Sequence, residues 1–204
     1  MRAIRLLRRP IPFVIAATLS VTAAAAQEQS VQKLLERGML EEAVQRADGE
    51  RENPESTYLA AQAAAKLNDN GRAGAEYNRL RESGDDTWKA IGESGARLNE
   101  GDLNGALEAA NRAVASGESN PYAHYQVGVV TSRQGNHQKA LEAFSRAATI
   151  KPDLAYAHYY AGNSAQRVKQ MGQMSEHFEM FIRLAPDAPE RTAVAALLRT
   201  LRPR

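Results

Sequence analysis

The chain has 204 residues, of which 25% are charged and none is cysteine, and its formal net charge is +2. Without cysteine there can be no disulfide and no lipid-bearing thiol, so an exported form would depend on packing for its stability. Aromatic residues make up only 6%, and alanine is abundant in periodic stretches, a composition that suits close-packed helices better than a strand sandwich.

Residues 1–26 read as a leader. Arg2, Arg5, Arg8 and Arg9 form a basic start, Ile11 to Val21 is uncharged and mostly apolar, and Ala24, Ala25 and Ala26 supply small residues for cleavage before Gln27. The uncharged run is barely long enough to span a bilayer, which argues against a retained anchor. Contact with a membrane is therefore expected only in transit, with the protein delivered to a periplasm or secreted. Four of the 26 basic residues and none of the 24 acidic ones lie in this segment, which leaves 22 against 24 from Gln27 onward. A nearly balanced chain lacks the basic surface that nucleic-acid binding needs.

After the leader, "LLERGMLEEAVQRA" (34–47) looks like a truncated unit ending in a good helix, so 27–53 is read as an incomplete first repeat. The clearest helix comes later. In "QGNHQKALEAFSRAATIKP" (134–152), Ala140, Phe144, Ala147 and Ile150 mark one helical face between Gly135 and Pro152. Asn120-Pro121 supplies a capping side chain followed by a first-turn proline, a good helix entrance. Beyond Pro186, "DAPE" resembles a capping pattern, and Val194, Leu197, Leu198 and Leu201 form the apolar stripe of a final helix over 189–204.

The pattern recurs at 34 residues. Tyr122 and Tyr156, His124 and His158, Tyr125 and Tyr159, Gly128 and Gly162, Phe144 and Phe178, and Pro152 and Pro186 are all separated by that spacing. Going backwards, Ala140, Ala147, Gly135 and Leu141 map to Ala106, Ala113, Gly101 and Leu107. In this the chain resembles the tetratricopeptide repeat family. The resemblance is strongest in 121–154, with Gly128, Ala140, Phe144, Ala147 and Pro152 at the family's favoured places, and it extends to 54–86, 87–120 and 155–188. It departs from the pattern at Ser94, Ala110 and Glu118, and at Met174 and Phe181.

The resemblance implies an all-α, right-handed superhelical solenoid of antiparallel helix pairs closed by a C-terminal capping helix. It also implies a concave groove lined by the first helix of each unit. Carried over residue by residue, that groove would hold Tyr58, Gln62 and Lys66, then Trp88, then Tyr122, Tyr125 and Arg133, then Tyr156, Tyr159, Asn163 and Arg167. Five of the seven tyrosines and the only tryptophan fall in this set. Tyr, Trp and Arg are the types that dominate interface energetics, although tyrosine can equally seal helix-to-helix packing.

Catalytic signals are missing. There is no phosphate loop and no His-Glu-x-x-His, and "GESGA" (92–96) misses the nucleophile elbow at its last residue. His124 and His158 repeat because the unit repeats, and they read as replacements for a packing aromatic rather than as metal ligands. The expectation is a non-catalytic scaffold without cofactor or small-molecule substrate, which captures a peptide segment or helix of a protein partner in its groove. The alternative is a structural subunit of an envelope assembly that uses its convex face or edges.

Overall fold

The computed structural model describes residues 30–201, so the leader lies outside the described residues. Among the described residues eleven helices follow one another: α1 (Val31–Glu36), α2 (Leu40–Asp48), α3 (Pro54–Lys66), α4 (Asn70–Arg81), α5 (Asp86–Asn99), α6 (Leu103–Ser116), α7 (Pro121–Arg133), α8 (His137–Ile150), α9 (Ala155–Arg167), α10 (Met171–Leu184) and α11 (Arg191–Leu201). They stack as consecutive pairs, α1/α2 through α9/α10, with α11 packed on α10. The architecture is an all-α stack of paired helices, a tetratricopeptide-like solenoid. Among the described residues, no helix is long and apolar enough to cross a membrane.

Local chemistry sets these boundaries. From α3 to α8, an Asn or Asp side chain caps every helix start: Asn53, Asp69, Asp85, Asp102, Asn120 and Asn136 each accept from a first-turn backbone N–H. Each such cap stabilises its helix by about 1 kcal/mol. The turn inside every pair passes through one residue in the left-handed region: Gly38, Asn68, Gly101, Gly135 and Lys169. At Gly101 and Gly135 the backbone adopts this shape without strain, whereas Lys169 carries a Cβ there.

Close approach within a pair depends on glycine facing an aromatic ring. A methyl group on Gly128 would lie 2.7 Å from the Phe144 ring, and one on Gly162 would lie 2.6 Å from the Phe178 ring. The Phe144 ring then stacks on Tyr160 of the following pair, with centroids 5.4 Å apart. Phe144 therefore closes its own pair and bonds it to the next.

The final helix starts later than the "DAPE" capping pattern suggests. Helix α11 begins at Arg191, and the Glu190 carbonyl accepts from Val194 N–H. The Glu190 carboxylate is turned away to Lys66 and Tyr156, so it cannot complete a capping box. The stripe itself seats as its spacing implies, with Val194 and Leu198 buried and Leu201 at the exposed edge.

Candidate functional site: the concave face

Helices α1, α3, α5, α7 and α9 form one layer, and this layer curls tightly. Helix α5 presents Gly92 and Gly95 to α4, which packs directly on them. A methyl on Gly95 would land on the Tyr77 ring, and one on Gly92 would lie 2.6 Å from Leu80 Cβ. Across this layer α3 reaches α7 directly. Tyr58 Oη donates to Gln126 Oε1 at 2.9 Å, Gln126 Nε2 donates to Ser94 Oγ at 3.1 Å, and Ser94 Oγ donates to the Ala106 carbonyl at 2.8 Å. This ladder runs through α3, α7, α5 and α6, and Tyr58, Gln126 and Ser94 are all fully buried. Ser94, which stands where later units have Gly128 and Gly162, ties α5 to α6 and α7 through its hydroxyl.

Tyr58 sits at the centre of an aromatic cluster. Its ring centroid lies 5.4 Å from Tyr122, 6.2 Å from Tyr125, 6.3 Å from Trp88 and 6.5 Å from Tyr77. Burial drives the hydroxyls of Tyr58 and Tyr125 far above the usual tyrosine range, so both stay neutral. Tyr122 is pushed up by burial and then by the carboxylate of Glu55, to which its Oη donates at 2.6 Å. Tyr156 is pushed up by burial and then by Glu190, to which it donates at 3.0 Å.

The curl brings the ends of the array together. Gln32 Nε2 in α1 donates to the Asp153 carbonyl at 2.9 Å, and Lys151 Nζ lies 3.4 Å from Glu55. Lys66 Nζ in α3 pairs with Glu190 at 2.9 Å and sits 4.0 Å above the Tyr156 ring. Pro189 packs against Gly38. One half of the groove is thereby closed on itself.

Closure separates the residues that sequence reasoning had grouped. Tyr58, Tyr122, Tyr125 and Tyr156 are 0–5% exposed, so they are core and present almost no surface. The physical reason is that α3 packs directly against α7, with Tyr58 ring to ring against Tyr122 and Tyr125, while Glu190 and Lys66 cover Tyr156. Trp88 and Tyr159 are half-buried; the Tyr159 centroid lies 5.0 Å from that of Phe181. Asn163 is half-buried and Arg167 exposed. Gln62, Lys66 and Arg133 do come together. They line a cleft of about 290 Å³ whose walls include Tyr77, Val129, Phe144 and Tyr160. Gln62 Nε2 donates to Tyr77 Oη at 2.8 Å. Burial pushes the Tyr77 and Tyr160 hydroxyls up, while the positive charge of Arg133 pulls both the other way. The cleft thus offers aromatic walls, one amide and two cations, of which Lys66 is already paired with Glu190 and Arg133 is exposed.

Sequence reasoning missed Tyr160 and Gln126, which occupy the same place in successive units. The signal was the Tyr159-Tyr160 doublet, whose second member breaks the 34-residue match because the equivalent position one unit earlier is Gln126. His124 and His158 have a role beyond filling an aromatic's place: their Nε2 atoms lie 2.8 Å from the Glu118 carbonyl and 3.3 Å from the Pro152 carbonyl. Each ties down the loop that enters its own helix. Among the described residues, no three His, Asp or Glu side chains are grouped to hold a metal ion.

Residues 95–155 match the family model described as Tetratricopeptide repeat. Among curated proteins, none matches the chain. Similar solved structures include TTC0263, a thermophilic TPR protein of Thermus thermophilus, at 16% identity over 90% of this chain and 97% of that one, with a TM-score of 0.58. Another is YrrB, described as a TPR protein with an unusual peptide-binding site, at 20% identity over 84% and 89% and a TM-score of 0.50. A third is the TPR2AB domain of yeast Sti1 in complex with pHSP90, at 12% identity over 83% and 81% and a TM-score of 0.51. At these identities the likeness is one of fold.

Proposed function

We propose that this tetratricopeptide-type solenoid is an exported, non-catalytic scaffold that holds a peptide segment of a protein partner in the cleft on its concave face. The observation that carries the reading is the cleft itself, with Arg133 exposed beside Tyr160, Gln62 and Lys66. A desolvated aromatic wall next to an arginine is the kind of surface where binding energy concentrates. Peptide binding by YrrB and partner binding by the Sti1 domain, as those structures are described, support the same use of the fold. Export rests on the basic, apolar and small-residue order of residues 1–26.

The test begins with affinity capture from an envelope fraction, followed by titration calorimetry with the captured partner. Arg133→Ala should weaken binding by more than about 1 kcal/mol with the melting temperature unchanged, because the side chain is exposed. Unchanged affinity in Arg133→Ala and in Lys66→Ala would move the contact to the convex face. N-terminal sequencing of the protein recovered from the envelope fraction should begin at Gln27; a start at Met1 would refute the cleaved leader.

A further inference from the structure

A hydrogen-bonded relay joins the last two helix pairs. Ser145 Oγ in α8 lies 2.9 Å from His177 Nε2 in α10, His177 Nδ1 lies 3.1 Å from His158 Nδ1 in α9, and His158 Nε2 lies 3.3 Å from the Pro152 carbonyl. The proton positions follow from the partners. A backbone carbonyl only accepts, so His158 carries its proton on Nε2 and offers a lone pair at Nδ1. His177 must then donate from Nδ1, which leaves its Nε2 to accept from the Ser145 hydroxyl. All four ring nitrogens are satisfied by two neutral rings.

A second proton breaks this order. Placed on His158 Nδ1, it sets two N–H groups against each other at 3.1 Å. Placed on His177 Nε2, it puts a charge in a half-buried seam. Arg183 of α10 is the charged side chain acting on His158, and it is repulsive. Facing the rings from the other elements are Ser145 of α8 and the Pro152 carbonyl, both neutral. Among the described residues, no carboxylate hydrogen-bonds or ion-pairs with either ring.

We infer that the Ser145–His177–His158–Pro152 relay is an acid-sensitive joint, whose protonation loosens the α9/α10 pair and the contacts through which that pair closes the concave face. Those contacts are Tyr156 with Glu190 and Glu190 with Lys66, all dependent on the last pair staying seated. The preceding unit provides an internal comparison. His124 makes the same loop contact through Nε2, but the counterpart of His177 one unit earlier is Ala143, so no second ring meets it. Burial and the facing His158 hold His177 down to about 4, and burial foremost lowers His158. For a base depressed in the folded state, the unfolded chain takes up protons first as pH falls. Stability contributed by the neutral pair is therefore full above about pH 6.5 and is lost between there and about pH 4.

The experiment is urea denaturation of the full chain across pH 7.5 to 4.5, together with histidine ring nitrogen NMR. The parent should show opposite tautomers on His158 and His177 at pH 7.5, and its midpoint should fall through this window. His177→Gln keeps an amide donor toward His158 but cannot titrate, so its midpoint should fall less than the parent's over the same range. His124→Gln should follow the parent. An equal fall in the His177→Gln variant would overturn the inference, as would His177 titrating near 6.5. Stabilisation by Zn²⁺ at pH 7.5 that requires both histidines would also overturn it, by making the pair a metal ligand set.

Discussion

Replacing Tyr58 by Phe removes a single oxygen from the centre of the molecule. The ring keeps its place between Tyr122, Tyr125 and Trp88, so packing changes little. What is lost is the donor to Gln126 Oε1, an acceptor with no access to solvent. Leaving such a group unpaired costs about 1–3 kcal/mol. At about 2–4 °C per kcal/mol for a chain of this size, the melting temperature should fall by about 2–12 °C. The partner variant Gln126→Leu separates desolvation from packing, since Tyr58→Phe with Gln126→Leu removes both ends of the bond. The double variant should be less destabilised than the sum of the singles by about 1–2 kcal/mol. Urea titration followed through the single tryptophan, Trp88, reads the cluster directly, its ring lying 5.6 Å from Tyr122. An unchanged denaturant slope would confine the effect to stability. Additive singles, or a Tyr58→Phe variant within 0.5 kcal/mol of the parent on the scale of about 1 kcal/mol for an ordinary bond, would refute the ladder as the element that binds α3 to α7.

Ala140 is fully buried between paired helices, so Ala140→Leu should overpack the seam and cost about 1–3 kcal/mol by thermal melting. Lys169→Gly should stabilise by about 0.5–1 kcal/mol in the same assay, since it relieves a left-handed Cβ at the turn where Gly101 and Gly135 serve earlier units. Removing residues 189–204 uncovers the face of α10 under Val194 and Leu198 and deletes Glu190; sedimentation should show self-association and melting a loss of stability. Tyr125→Ala should cost about 3–5 kcal/mol because the ring is core, so this variant tests packing rather than partner capture.

The pairs were legible because their determinants are local. Gly128 and Phe144 meet within one unit, and a 34-residue spacing repeats that meeting at Gly162 and Phe178. Asn and Asp caps ahead of six successive helices were equally readable, although only Asn120 was singled out and Asn53, which also precedes a proline, was not. The curvature was not legible, because it is set by how one pair rotates on the next. One sign was present as a departure from the repeat, Ser94 in place of glycine, whose hydroxyl accepts from Gln126 of α7. The contact of α3 with α7 and the cover of Glu190 over Tyr156 convert Tyr58, Tyr122, Tyr125 and Tyr156 from groove lining into core. The same closure explains Glu190, whose spacing suggests a cap but whose carboxylate goes to Lys66 across the groove.

Closure also decides what a partner can offer. The cleft between Lys66, Arg133 and Tyr160 measures about 290 Å³. An extended segment suits it, because such a segment inserts one side chain at a time and leaves its backbone at the rim. Of the two partner forms expected from the repeat pattern, the peptide segment is therefore the one we propose for this cleft. A synthetic helical peptide stapled in its helical form should bind no better than its unstapled counterpart. Preference for the stapled form would place recognition on a wider surface than this cleft.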